Sequence, residues 1–390
     1  MKINRKVVII GAGPAGCALA TKLATNGVDV LLLDKGMFPR DVNSSNTLSQ
    51  EAVGYLAELG VKEQLEKISS KSKYLRIVAP TYEDAIFDKE FLIVSRWHLD
   101  KLLLDNAIEK GVEFWSCAQV TNVIVDNGKA CGVKVFRNGE EMEVFADVIV
   151  GADGNNSIVA RTMGVTNNSY KMCEALRGYF ENVILDPELT KQGYMELHFD
   201  KSVAPMYIWV CPTNEGAFDK GFVNVGLKMY DDSLTLNMDK MIEIFEQWES
   251  ESPFGKQFVR AIQVGEWSAW QYAEYQNKSI SAGNGFLLIG DACTSNNSII
   301  EDGVAFSLYT ANEAFDAISQ AILKNNFSEE FFLQNYTFKV HAHKQDENKY
   351  IKLLKASMQD NQMITNMVNL ANQNETLKND VINNLLKIKE

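Results

Sequence analysis

Four histidines and six cysteines are few for a chain of 390 residues, and their placement excludes more than their number does. Cys17, Cys117, Cys131, Cys173, Cys211 and Cys293 form no C-x-x-C pair and have no histidine at a ligand spacing, so no metal site is expected. Thiols scattered along so long a chain fit a reducing compartment, and the location expected is cytoplasmic. His98, His198, His341 and His343 show no acid–base or ligand constellation and read as structural. Also missing is any Lys/Arg-rich stripe. The net charge of -13 gives a field that repels phosphate backbones, so nucleic acid is not an expected partner. No stretch approaches the roughly 18 consecutive apolar residues of a membrane span, which leaves peripheral contact as the only membrane association expected. Lys2, Arg5 and Lys6 ahead of an apolar run imitate a secretory signal, but Gly11, Gly13, Pro14 and Gly16 interrupt that run.

What is present is ordinary globular material, 46% hydrophobic and 23% charged, enough for a large core and two domains. Lys6 to Ile10 is a β-branched run that reads as a strand buried on both faces. A helix follows from Ala15 to Thr25, with Pro14 in its first turn and Gly27 as its stop, and Val28 to Leu33 forms the second strand. Helical spacing recurs over Ser49 to Leu59 and Leu99 to Ile108. Asp126-Asn-Gly128 and Arg137-Asn-Gly139 then mark the turns of a three-stranded meander. Ala146 to Val150 returns as a buried strand into Gly151-Ala-Asp-Gly154. From about 170 to 276 the runs alternate like half-exposed strands, interrupted by a helix at Met238 to Trp248. Phe286 to Ile289 is again a buried strand. It leads to Gly290-Asp291, then to a helix from Gly303 to Leu323 and a helical tail rich in Asn, Lys and Gln.

The chemistry begins at Gly11-Ala-Gly-Pro-Ala-Gly16, between the first strand and its helix. Each glycine removes a side chain where backbone must approach phosphate, and the helix N-terminus faces the anion. Asp34 at the end of the second strand is placed to hold a ribose hydroxyl pair, which disfavours a ribose phosphate and leaves FAD or NAD. No second unit of this kind occurs, so a nicotinamide cofactor is not expected to be held permanently.

Two later segments carry a resemblance. Gly151-Ala-Asp-Gly-Asn-Asn-Ser-Ile-Val-Ala-Arg161 looks like the Asp-Gly fingerprint of the single-component flavin hydroxylase superfamily, and Gly290-Asp291-Ala292 with Glu301-Asp-Gly303-Val304 resembles its second flavin motif. Phe38-Pro-Arg-Asp41, Arg96 ahead of Asp100, and Tyr207-Ile-Trp-Val-Cys-Pro212 followed by Asn224-Val-Gly226 are similar to the geranylgeranyl reductase and halogenase subgroup. The resemblance implies FAD as cofactor, with transient NAD(P)H or a partner reductase as electron source. By carry-over, Gly11, Gly13, Pro14, Ala15, Gly16, Asp34, Arg40, Ser45, Arg96, Val120, Asp153, Gly154, Gly290, Asp291, Gly303 and Val304 are the cofactor-binding residues. Among them Arg96 would lie near the pyrophosphate or ribityl chain, Val120 at the adenine, and the Gly303–Val304 backbone against the isoalloxazine. Two departures from the subgroup stand out. Asn43-Ser-Ser-Asn46 replaces its Pro-Cys-Gly, and Ser298 replaces a proline of the second motif.

The fold class that follows is α/β: a doubly wound, Rossmann-like FAD-binding domain (1–168 and 277–325), an inserted antiparallel β-sheet substrate domain (169–276), and a helical C-terminal segment (326–390). The activity expected is that of an FAD-dependent oxidoreductase, first a monooxygenase using a flavin hydroperoxide on a largely apolar small molecule. Reduction of C=C bonds in an isoprenoid lipid is second. Halogenation is third, because Tyr207 and Cys211 replace the Trp and Ile of the halogenase motif and Lys71 and Lys73 read as solvated charges. A non-catalytic lipid- or protein-binding module is the alternative from another class. Trp209 is the candidate for the substrate cavity, with a core role as the competing reading.

Overall fold

The computed structural model describes residues 2–165, 172–203, 207–213, 221–230, 237–273, 280–293, 303–344 and 361–386. Ser298, Glu301 and Asp302 of the second flavin motif lie outside them. The expected strand–loop–helix–strand unit is formed by β1 (Lys2–Ile10), α1 (Pro14–Thr25) and β2 (Val30–Leu33). β1 pairs in parallel with β2 on one side and with the strand Glu140–Gly151 on the other. Phe286–Leu288 and Glu113–Trp115 extend the parallel sheet outward in both directions. Val7, Val8 and Ile9 are fully buried because α1 and the helix Gly303–Lys324 contribute to the core around them, which is why these strands read as continuous apolar runs.

The meander forms at the expected turns, where Asn127 (φ 48°) with Gly128 (φ 78°) and Asn138 (φ 53°) with Gly139 (φ 84°) take the left-handed backbone of tight hairpins. Its third strand and the run from Ala146 to Val150 are one continuous strand, Glu140–Gly151, paired antiparallel to the meander at its start and parallel to β1 along its length.

The second sheet has eight strands, in the order Ile262–Ala273, Met172–Glu181, Val223–Tyr230, Ile208–Pro212, Tyr194–His198, Ser70–Val78, Asp84–Ile93 and Thr47–Leu48. All neighbours are antiparallel except Tyr194–His198 with Ser70–Val78. Its last three strands come from residues 47–93, so this sheet draws on chain far outside 169–276. Ser70–Val78 carries Lys71 and Lys73 on alternate positions and, beyond a register shift at Ser72/Tyr74, Arg76, and so reads as charged, while Leu75 and Ile77 turn into the core. One face packs the aromatic cluster Phe180, Phe245, Trp248, Phe258 and Trp267 beneath the helix Met238–Glu251. The other carries Leu75, Ile77, Phe87, Leu197, Tyr207 and Trp209. Ile364, Val368 and Ala371 of the helix Asn361–Ala371 join this second cluster, and a Thr81–Thr365 hydroxyl contact of 2.8 Å fastens that helix to the sheet. No helix among the described residues is long and apolar enough to cross a membrane.

Candidate cofactor and substrate site

The three loop glycines are required for different reasons. Gly11 has φ +104°, and a Cβ there would sit 2.3 Å from the Ala152 carbonyl oxygen. At Gly16 a Cβ would lie 1.9 Å from the carbonyl oxygen of Gly11, so the glycine lets α1 pack onto the loop. Gly13 has ordinary backbone (φ -78°, ψ -174°), and a Cβ would meet nothing nearer than an Arg96 guanidinium nitrogen at 3.8 Å. It faces a cavity of about 850 Å³. Gly16 does not line that cavity; the close approach of the Gly11 carbonyl gives it a packing role, which brings helix and loop together. Every other residue assigned from the sequence does line it, from Gly11, Pro14 and Ala15 to Gly303 and Val304, with Ser45, Val120, Gly154, Gly290 and Asp291 between them.

Asp34 is held by backbone. Its Oδ2 accepts the N–H of Ala12 and its Oδ1 that of Gly36, both at 2.8 Å, which locks the end of β2 to the glycine loop. Arg40 reaches both Asp34 (3.4 Å) and the buried Asp100 (3.6 Å), and Arg96 clasps Asp100 with two hydrogen bonds of 2.6 and 2.9 Å. The arginines are therefore fixed at the cavity by a carboxylate from the helix Arg96–Glu109. Gly290 (φ +58°) donates its N–H to Thr310 Oγ1 at 2.9 Å, so the second flavin segment is anchored to the helix behind it.

Asp153 is divided between two tasks. Its Oδ2 accepts the Ile158 N–H at 2.7 Å, as a turn residue would. Its Oδ1 is buried without a hydrogen-bond partner among the described residues. Burial raises its carboxyl above the usual carboxylate range, against the opposing pull of the Ser157 and Ile158 hydrogen bonds. An orphaned acceptor at the cavity wall, together with the open cradle at Gly13, fits a ligand bearing hydroxyls and a diphosphate, as FAD does.

On the side of the second sheet the cavity is walled by Ala175, Met195, Leu197, Tyr207, Trp209, Lys228 and Trp270. Trp209 is both core and wall. It is only 4% exposed, its edge-on neighbours Tyr207 and Trp270 lie at 6.5 and 6.4 Å, and its indole N–H donates to Asn224 Oδ1 at 2.9 Å. Gly226 leaves the space its ring occupies, since a Cβ there would lie 2.2 Å from Trp209 Cζ2. Asn224 in turn donates to the Ser44 carbonyl at 3.0 Å. A clamp that sequence reasoning missed completes this link. Arg177 pairs with Asp41 at 2.7 Å and donates to Tyr179 Oη at 2.7 Å and Asn43 Oδ1 at 3.3 Å, while Asn46 donates to the same tyrosine at 3.0 Å. The segment after β2 is thus pinned to the second sheet by partners more than 130 residues away, and no local pattern could announce it.

Lys71 and Lys73 are exposed and do not line the cavity; Lys73 donates to Gln192 Oε1 at 3.3 Å. His198 is buried against Glu196 at 2.8 Å, in a cluster with Arg76 that is no part of the cavity. Burial works against the Glu196 carboxylate, but the His198 hydrogen bond and the charges of His198 and Arg76 outweigh it and hold its pKa below the usual range. His343 stacks on Tyr309 at 4.0 Å between centroids.

A parallel sheet with a glycine loop, joined through one cavity to a second sheet, defines a dinucleotide-binding fold whose cavity extends beyond the nucleotide loop. The FAD binding domain family matches residues 4–297, and the chain belongs to that family. It is an FAD-dependent oxidoreductase. Over 240 residues it is 30% identical to a digeranylgeranylglycerophospholipid reductase of Methanocella arvoryzae, an alignment that covers 59% of this chain and 57% of that protein. It is 27% identical to a 1H-pyrrole-2-carbonyl-[peptidyl-carrier protein] brominase of Pseudoalteromonas luteoviolacea, over 84% of this chain and 80% of the relative. The fold matches that of a geranylgeranyl bacteriochlorophyll reductase-like protein from Thermoplasma acidophilum with a TM-score of 0.81 and 20% identity, covering 99% of this chain and 98% of the other.

Proposed function

We propose that this oxidoreductase acts on a largely apolar small molecule held between the bound FAD and the aromatic wall of the second sheet, and that the reaction is oxygenation. The observation that carries the reading is the single cavity running from Gly13 and Asp153 to Tyr207, Trp209 and Trp270. FAD supplies two-electron chemistry and, once reduced, reactivity with O2. The chain supplies the rest. The glycine loop and the N-terminus of α1 hold the diphosphate, Asp34 a ribose, and Asp153 and Asp291 the ribityl region. Met195, Leu197, Tyr207, Trp209 and Trp270 exclude water and orient the substrate. The Trp209–Asn224–Ser44 relay keeps that wall in register with the segment that carries Ser45. NAD(P)H is a transient visitor, or a separate reductase delivers the electrons.

A second reading, reduction of C=C bonds in an isoprenoid lipid, is supported by the reductase relative named above. Halogenation ranks third, because Lys71 and Lys73 are exposed and do not line the cavity. Oxygen consumption separates the first two. NAD(P)H oxidation stimulated by an apolar substrate, with matching O2 uptake and an oxygenated product, is expected. Anaerobic turnover to a saturated product with no O2 uptake would replace oxygenation by reduction.

A further inference from the structure

The stretch Asp41 to Thr47 divides its side chains between two tasks. Asn43, Ser44, Ser45 and Thr47 line the cavity, whereas Asp41 and Asn46 do not. Ser45 Oγ and Thr47 Oγ1 lie 2.9 Å apart, on either side of Asn46, which is buried and has the left-handed φ of 68°. A run this polar has little apolar surface to bury, so its shape depends on what grips it from outside. Arg177, buried in the strand Met172–Glu181, is that grip. One guanidinium nitrogen donates to Asp41 Oδ2 at 2.7 Å and Asn43 Oδ1 at 3.3 Å, and the other to Asp41 Oδ1 at 3.3 Å and Tyr179 Oη at 2.7 Å. Tyr179 in turn accepts from Asn46 at 3.0 Å, so a single side chain fixes the stretch on both sides of Ser45. Only a planar fork can meet three such partners at once. The Asp41 side chain is 48% exposed, and a pair so open to solvent contributes little stability for the cost of burying the arginine. What the arrangement secures is the geometry of the stretch.

We propose that Arg177 is a positioning residue for the cofactor. It does not line the cavity itself, but it presets Asn43 to Thr47 so that the Ser45 and Thr47 hydroxyls are offered to FAD in a fixed arrangement. The proposal rests on the assignment of Ser45 to the cofactor. Without Arg177 the stretch must be ordered at the moment of binding, which lowers affinity and leaves the polar surroundings of the bound flavin less defined.

The test titrates the full-length apoprotein with FAD, records the visible bands of the bound flavin, and measures the apo melting temperature. Arg177→Met should raise the FAD Kd about tenfold or more and displace the flavin bands. Arg177→Lys should raise it at least about threefold, since an ammonium can keep Asp41 only by releasing Asn43 or Tyr179. Ser45→Ala should weaken FAD and move the bands in the same direction. Phe245→Leu, on the opposite face of the same sheet, should lower the melting temperature yet keep the Kd within about twofold and the bands in place. Wild-type Kd and bands in the Arg177 variants, with both altered in Ser45→Ala, overturn the role of Arg177 and leave Ser45 at the cofactor. Unaltered Kd and bands in Ser45→Ala overturn that assignment and the proposal with it. A loss of affinity in Phe245→Leu equal to that in Arg177→Met reduces Arg177 to general support of the sheet, which also overturns the proposal. Should Arg177→Met not fold, Arg177→Lys and Asp41→Ala decide the question by the same two readouts.

Discussion

Gly13 and Gly16 are three residues apart in one motif, yet their substitutions should fail in opposite ways. The backbone of Gly13 is open to any residue and its missing Cβ faces only the cavity, so Gly13→Val should change the stability of the cofactor-free protein by no more than about 0.5 kcal/mol. In a chain of 390 residues the unfolding entropy near 60 °C is about 0.8 kcal/mol per kelvin, so the apo melting temperature should move by less than about 1 °C. With FAD at 100 times its Kd, wild type gains about 2.7 kcal/mol, a rise of about 3 °C. Gly13→Val should show none of that rise and should purify colourless, because the valine methyls occupy the space of the diphosphate. Gly16→Val instead drives a side chain into the Gly11 carbonyl, where Cβ alone would be 1.9 Å away. Overpacking on that scale costs about 3 kcal/mol or more and should lower the apo melting temperature by about 4 °C or more, with or without FAD. Differential scanning fluorimetry of both variants, with flavin content from absorbance, reads the difference. Stoichiometric FAD in Gly13→Val, or an apo melting temperature several degrees below wild type, would refute the assignment of Gly13 to the cofactor face.

Trp209 couples packing to the site, so Trp209→Ala should cost about 3–5 kcal/mol in urea unfolding, while Trp209→Phe should cost about 1–3 kcal/mol by leaving Asn224 Oδ1 without its donor. Equal stability of wild type and Trp209→Phe would show that the hydrogen bond is dispensable. For Asp153 the sign is set by its raised pKa. A cofactor hydroxyl donated to Oδ1 favours the carboxylate, so FAD binds the ionised form and its affinity should fall, by up to about tenfold per pH unit, as pH drops through the pKa of the free protein. Asp153→Asn should bind FAD more weakly at neutral pH and lose that pH step; an unaltered acid-side profile in the asparagine variant would assign the step to another group.

The sequence alone determined whatever depends on neighbours in the chain. Lys6 to Ile10, the glycine loop and Asp34 lie within 30 residues of one another, and their types follow from backbone sterics and phosphate chemistry, so the nucleotide-binding unit was legible before any contact was known. The meander was legible for the same reason, since Asn-Gly is the pair that the left-handed turn backbone demands. The FAD motifs were legible through resemblance, as an ordered set of such local signatures. Tertiary structure decided the rest. It drew strands from residues 47–93 into the second sheet, because pairing joins strands regardless of their distance along the chain. It separated the packing glycine Gly16 from the cavity glycine Gly13, which the motif treats alike. It made Trp209 both core and wall by setting Gly226 and Asn224 against it. It also joined Arg177 to Asp41 and turned Lys228 toward the cavity. Register and strand pairing decide which side of a sheet a residue faces and what meets it there, and a one-residue shift would reverse every such choice.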